Sequence, residues 1–323
     1  MKRPEQERGV ALLTVLLLVA VMATFAAAVL EDIRFGLRRS ANAAAVGQAR
    51  WYAIGAEALA SAQIRRLFDA EGGRTTLRGD WNGRQFRFPV EGGVIEAQLT
   101  DGVSCFNLNS VVIGTPGAYA QNPIGIRQFI ALAKASGVAD GEAMALAGAL
   151  VDWIDSDARR IEFGAEDEAY AREAEAYRTG GTLLAEVSEL RAIRGFNQQV
   201  LTKLRPYTCA LPVAETSPIN VNTLREDDAV LLTALTEGKL SVAAARRVIA
   251  ARPAAGWDDL YDFWRAVPED ARSEQTKVEF RSRYFNLATN ITLGDAEVAT
   301  SALLEQDQSG AVKLVARRWT RDE

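Results

Sequence analysis

Seven carboxylates fall within seventeen residues: Asp152, Asp155, Asp157, Glu162, Glu166, Asp167 and Glu168. Side chains of this type at this density are the raw material of a hard-cation site, because calcium takes roughly six to eight oxygen ligands, several of them anionic. Their spacing does not follow an EF-hand loop, so a solvated acidic helix end is the competing reading. The 323 residues include no histidine. That absence removes Ser-His-Asp and Cys-His catalysis, histidine-ligated zinc and imidazole proton relays together. No Gly-rich loop opening a helix offers a phosphate cradle. With no carboxylate pair singled out for acid–base work, the sequence reads as a non-enzyme.

Two other features carry chemistry. Cys105 and Cys209 are the only cysteines. In an oxidising compartment an even count suits a disulfide, here closing a loop of about 100 residues; the alternative is two buried thiols. ELRAIRGF–NQQVLTKL and INVNT…LTALTEGKLSVAAARRVIAAR have the look of helix-hairpin-helix units, which can grip DNA phosphates with turn amides. Arg246, Arg247 and Arg252 are balanced by Asp227, Asp228, Asp258 and Asp259. That balance, and a net charge of −5, favour a packing module and no nucleic acid.

The elements that position these residues begin with an anchor. Met1–Gly9 is charged and Val10–Leu30 carries no charge. At about 1.5 Å per residue this run spans roughly 30 Å, a bilayer core. A secretory signal is shorter and is cut after its apolar stretch; here the plausible cut lies before it, at Gly9–Val10, so the helix is kept. This layout resembles a type IV prepilin. Lys2, Arg3, Arg8 and the amine outweigh Glu5 and Glu7, which places the N-terminus in the cytoplasm and the rest across the membrane. The helix is expected to continue through Phe68, with Trp51, Ile54, Ala58 and Ala62 at helical spacing. Strands are expected at Gln85–Val90 and Val94–Thr100. Helices follow at Gly141–Ile154, Leu183–Ile193, Asn197–Leu204, Asp228–Leu235, Val242–Ala251 and Asp258–Ala266. Strands return at Arg283–Leu293, Glu297–Glu305 and Ala311–Arg318. The expected organisation is a leader (1–9), a transmembrane helix (10–30), a first pilin-like part (31–108), an all-helical insertion (109–280) and closing strands (281–323). The fold class is α+β, with an antiparallel sheet interrupted by helices.

The leader with Gly9, FNLNS at Phe106–Ser110, DWIDSD at Asp152–Asp157, GAEDEAY at Gly164–Tyr170, SELRAIRGF at Ser188–Phe196 and INVNT at Ile219–Thr223 occur in this order. Together they make the chain similar to the type II secretion minor pseudopilin K family (GspK). The resemblance implies a pilin-like fold and a non-catalytic subunit at the tip of a pseudopilus. It also implies cleavage by a prepilin peptidase between Gly9 and Val10, with methylation of the new amine. The partners it implies are the I- and J-type minor pseudopilins, the major pseudopilin, the inner-membrane assembly platform, the secretin and exported proteins. Members of the family bind calcium, which turns the acidic cluster towards a calcium site with Asp155, Asp157, Glu166 and Asp167 as ligands. Thr14 stands where most pilins carry a glutamate that neutralises a neighbour's amine inside lipid. A subunit with no neighbour above it does not need that charge. A minor pilin of a type IV pilus and a membrane-anchored periplasmic DNA-binding protein are the alternative functions.

Overall fold

A computed structural model describes residues 5–173, 175–272 and 277–320. Residues 1–4 of the expected leader, 174 and 273–276 of the expected insertion, and 321–323 of the closing segment lie outside the described residues. In chain order the elements are α1 (Glu5–Ala70), β1 (Gln85–Val90), β2 (Gly93–Asp101), β3 (Phe106–Asn107), β4 (Val112–Thr115), β5 (Ala118–Gln121), α2 (Pro123–Ala135), α3 (Asp140–Ile154), α4 (Asp167–Tyr170) and α5 (Gln198–Leu204). Then come β6 (Thr208–Cys209), α6 (Ala229–Leu235), α7 (Val242–Ala250), α8 (Leu260–Ala266), β7 (Tyr284–Leu293), β8 (Ala296–Gln306) and β9 (Val312–Arg318).

The 66 residues of α1 make a rod about 100 Å long. From Gly9 to Ala44 every side chain is exposed. Above that point the rod lies on a five-stranded sheet of order β1-β2-β7-β8-β9, antiparallel throughout. Small residues on the buried side of α1 let the helix sit close. Ala49 and Ala53 meet Ile95, Ile291, Leu293 and Val298, and further up Ala60 and Ile64 meet Trp81, Leu99, Phe285, Leu287 and Leu304. One buried ion pair bolts the layers together: Glu57 of α1 accepts two bonds from Arg317 of β9, each 2.6 Å.

This packing orders the sheet along the rod. The β1–β2 and β7–β8 turns lie at the end nearer the exposed N-terminal half of α1. The top of the sheet is Asp101, where β2 stops, and Phe285, its partner near the start of β7. Residues 102–283 leave and return at that top. Their core is the largest in the protein and runs from Phe106 to Val278.

The fold class is as expected, α+β and pilin-like, but the inserted stretch is not all helix. Val112–Thr115 and Ala118–Gln121 form a hairpin, and β3 pairs with β6 in parallel. A β-branched run, V-V-I-G-T, followed by Pro116-Gly117 is hairpin chemistry. Leu183–Ile193, expected as a helix, is an extended segment followed by a short 3-10 turn at Val187–Ala192. Its apolar spacing is real, but the Leu184 backbone is taken by Asn109, whose Oδ1 accepts its N–H at 2.8 Å.

Candidate metal centre

The acidic cluster is built where α3 ends. Asp140 and Glu142 stabilise the start of α3, and an Ala- and Leu-rich body follows. Its last turn carries Asp152, and Asp155 caps its C-terminus, so spacing of three sets both on one face. The chain then turns back on itself. Gly148 and Gly164 make this possible: a side chain at Gly148 would press on the Glu162 carbonyl, and one at Gly164 would collide with the Asp152 carboxylate. The Ile161 amide donates to Asp152 Oδ1 at 3.2 Å. The returning loop delivers Glu166, at the start of α4, beside the two aspartates.

Asp152, Asp155 and Glu166 are 1%, 5% and 7% exposed. Asp152 Oδ2, Asp155 Oδ1 and Glu166 Oε1 are buried with no hydrogen-bond donor. Burial, then repulsion from Asp152, Asp157 and Glu166, pushes Asp155 up to about 7. Burial and the charge of Asp152 push Glu166 up to about 7, and burial pushes Asp152 to about 6. Buried anionic oxygens without donors fit a hard dication, which would supply the missing positive charge. Among the described residues no group of three or more acidic or cysteine side chains is placed to hold a metal ion.

Of the four residues expected as ligands, the structure brings Asp155 and Glu166 together and gives the others different work. Asp167 Oδ1 accepts the N–H and the hydroxyl of Thr179, both at 2.9 Å, and these bonds hold its carboxyl below the usual range. Asp157 is exposed and accepts the Arg159 N–H at 2.7 Å, acting on Asp155 and Glu166 only through its charge. Asp152 takes the central place. Its helical spacing to Asp155 was the signal for it. The aromatic trio Trp153, Tyr170 and Tyr177 backs the site, with ring centroids 5.1–6.2 Å apart. Tyr170 accepts the Arg194 N–H and Tyr177 donates to the Ala192 carbonyl, which ties the loop to the SELRAIRGF segment.

The two Asn-x-Asn motifs are buried hubs. Asn107 accepts the amides of Asn109 and Leu211 and donates to Val213, while Asn109 clasps both polar groups of Leu184 and the Leu211 carbonyl. Asn220 donates to the Thr75 carbonyl and to Ser282, and Asn222 clasps Trp257. Thr223 and Ser104 donate to the buried Asp101, whose carboxyl burial pushes up. The second hub therefore joins the sheet to the inserted stretch. The α6–α7 turn is likewise committed to packing. Glu237 holds Arg127 of α2, Gly238 sits against Ala131, and the Gly238 and Lys239 amides bond to Thr233 and Thr236. Cys105 and Cys209, at the edges of the β3–β6 pair, are bonded with Cα atoms 5.8 Å apart.

Two sequence profiles, both described as Type II secretion system (T2SS), protein K, match residues 104–213 and 219–279. The Type II secretion system protein K of Klebsiella pneumoniae is 35% identical over 98% of this chain and 99% of its own. The chain belongs to the type II secretion system protein K family. A protein K from Pectobacterium carotovorum is 34% identical over 97% of both chains, and one from Pseudomonas aeruginosa is 31% identical over 96% of this chain and 92% of its own. Among solved structures, a chain of the GspK-GspI-GspJ complex from enterotoxigenic Escherichia coli matches with a TM-score of 0.77 at 29% identity. That match covers 88% of this chain and 99% of that one.

Proposed function

We propose that this chain is a minor pseudopilin that caps the type II secretion pseudopilus. The observation that carries the reading is the place of the inserted stretch. It leaves and rejoins the sheet at the end farthest from lipid, so the bulk of the head crowns the rod instead of lining it. A crown of about 180 residues suits one terminal position and obstructs stacking at every step. Family membership supports the system, and a relative crystallised with GspI and GspJ supports those two types as its neighbours. Thr14 agrees with a terminal place, since its hydroxyl is satisfied by the Ala11 carbonyl at 2.9 Å and brings no charge into lipid. The mechanism is positional. A prepilin peptidase cuts between Gly9 and Val10, and α1 holds the chain in the inner membrane with its N-terminus cytoplasmic and its head periplasmic. The head then meets the secretin and exported proteins while α1 bundles with the major pseudopilin on the assembly platform. Calcium at Asp152, Asp155 and Glu166 neutralises the cluster and fixes the 158–170 loop. Deleting the chain should leave the system's substrates in the periplasm, and restoring the full chain should return export. Export at the normal rate without the chain would overturn the reading.

A further inference from the structure

From Gly102 to Ile126 the sequence carries no charged residue, its longest such run outside Val10–Leu30. The middle of that run is the β4–β5 hairpin, where residues 113–118, 120 and 121 are exposed, Ile113 by 53%. The hairpin is closed on one side only. In an antiparallel pair, opposed residues turn their polar backbone groups both inward or both outward. Tyr119 of β5 donates its N–H to Ser156 Oγ at 2.9 Å and accepts the Ser156 N–H at 3.0 Å. Gly114, opposed to Tyr119, therefore turns its N–H and C=O to the far edge of β4, where among the described residues neither has a partner. Val112 faces the same edge and sends its N–H to the Asn109 carbonyl.

Free strand edges are ordinarily guarded by charge or proline, because they invite another strand. The edge strands of the main sheet have such guards, Arg87 and Pro89 in β1 and Lys313 and Arg318 in β9. The four residues of β4 are Val, Ile, Gly and Thr. A groove of about 320 Å³ lies between β4 and the 212–215 segment. Its lining includes Thr115, Leu183, Val213 and Ala214; Glu215 and Arg283 are its only charges and pair with each other at 3.3 Å.

These features select an occupant. A charge laid along this neutral surface would lose water and find no partner, so the segment that fits is uncharged. Pairing through main-chain groups tolerates many sequences. A groove at the small end of binding clefts makes the contact weak and reversible. Varied sequence and easy release are what passengers require and a fixed assembly neighbour does not.

We propose that the open edge of β4 and the groove beside it take an extended, uncharged segment of an exported protein, which adds to the β4–β5 hairpin as a third strand. The inference rests on the pseudopilin reading above and names where the head meets what is exported.

The test places photoreactive benzoylphenylalanine at Thr115 in the full chain, in cells making the complete secretion system, and maps adducts by mass spectrometry. Adducts should fall on exported proteins, in segments without charge. Ala214→Lys, which sets a charge in the groove, should cut their yield about fivefold, whereas Ala250→Lys on the exposed side of α7 should change it less than about twofold. Hydrogen exchange of the unsubstituted full chain in detergent gives a second reading. Adding a purified exported protein of the same system should slow exchange at Gly114 about tenfold, because its N–H gains a partner. No adducts, adducts confined to the secretin or another pseudopilin, adducts in charged segments, a yield indifferent to Ala214→Lys, or unchanged exchange at Gly114 would overturn the inference. Any of these with export lost in the deletion strain leaves the pseudopilin reading standing; normal export in that strain overturns the reading itself.

Discussion

Asp155 and Glu166 titrate near neutrality because they are buried beside Asp152, and this gives the site a signed pH response. In the unfolded chain these carboxyls titrate at about 4; folded they hold protons up to about 7. Between those values the folded state binds more protons than the unfolded one. Without a cation, stability should therefore fall as pH rises from about 4 through about 7. On the proposal that calcium binds here, it competes with the protons, so the shift in melting temperature that it produces should be larger at pH 8 than at pH 5.5. Calorimetry of the head in calcium and in chelator checks this, and equal shifts at both pH values would contradict it. Asp155→Asn with Glu166→Gln should abolish the calcium shift. It should also raise the melting temperature in chelator, because two repelling charges are gone. Terbium in place of calcium offers a second readout, since Trp153 lies one residue from Asp152 and can sensitise its emission. The site was half legible in the sequence. Acid density marked the region, but Asp167 is satisfied by Thr179, twelve residues away, and no local pattern announces that bond.

The elements divide by whether their signal is local. The long helix, β1, β2 and the three closing strands follow periodicities of 3.6 and 2 read directly from the residues, and their ends fall within a residue or two of expectation. The 183–193 segment and the Asn-x-Asn hubs were not legible as structure, because what shapes them is a set of partners 35–145 residues away. Two contacts between elements carry measurable stability. Glu57 is 7% exposed and, among the described residues, pairs with Arg317. Removing one partner leaves a buried charge unpaired, so Arg317→Ala should destabilise the head by about 3 kcal/mol in urea unfolding. A loss below about 0.5 kcal/mol would mean that the bolt between α1 and β9 carries no load. The Cys105–Cys209 bond closes a loop of 104 residues. In the loop-entropy view Cys105→Ser with Cys209→Ser should cost up to about 4–5 kcal/mol. Reductant should lower the wild-type melting temperature and leave the double variant unmoved.

At the scale of the whole molecule, a bare rod emerges below a head whose mass sits at the far end. Gly9→Val should leave the leader attached, because a branched side chain replaces the bare backbone at the proposed cut; intact mass of the membrane-extracted chain reads this, and a mature N-terminus at Val10 in the variant would contradict a requirement for glycine at that position. Thr14→Glu should not improve export, since a terminal subunit has no neighbouring amine for the carboxylate to neutralise and would bury it unpaired. The central claim is position. Gold-labelled antibody against residues 102–283, applied to pseudopili sheared from cells, should mark one end of each filament and leave its length unlabelled. Label spaced along the length would make the chain a repeating subunit and contradict the account.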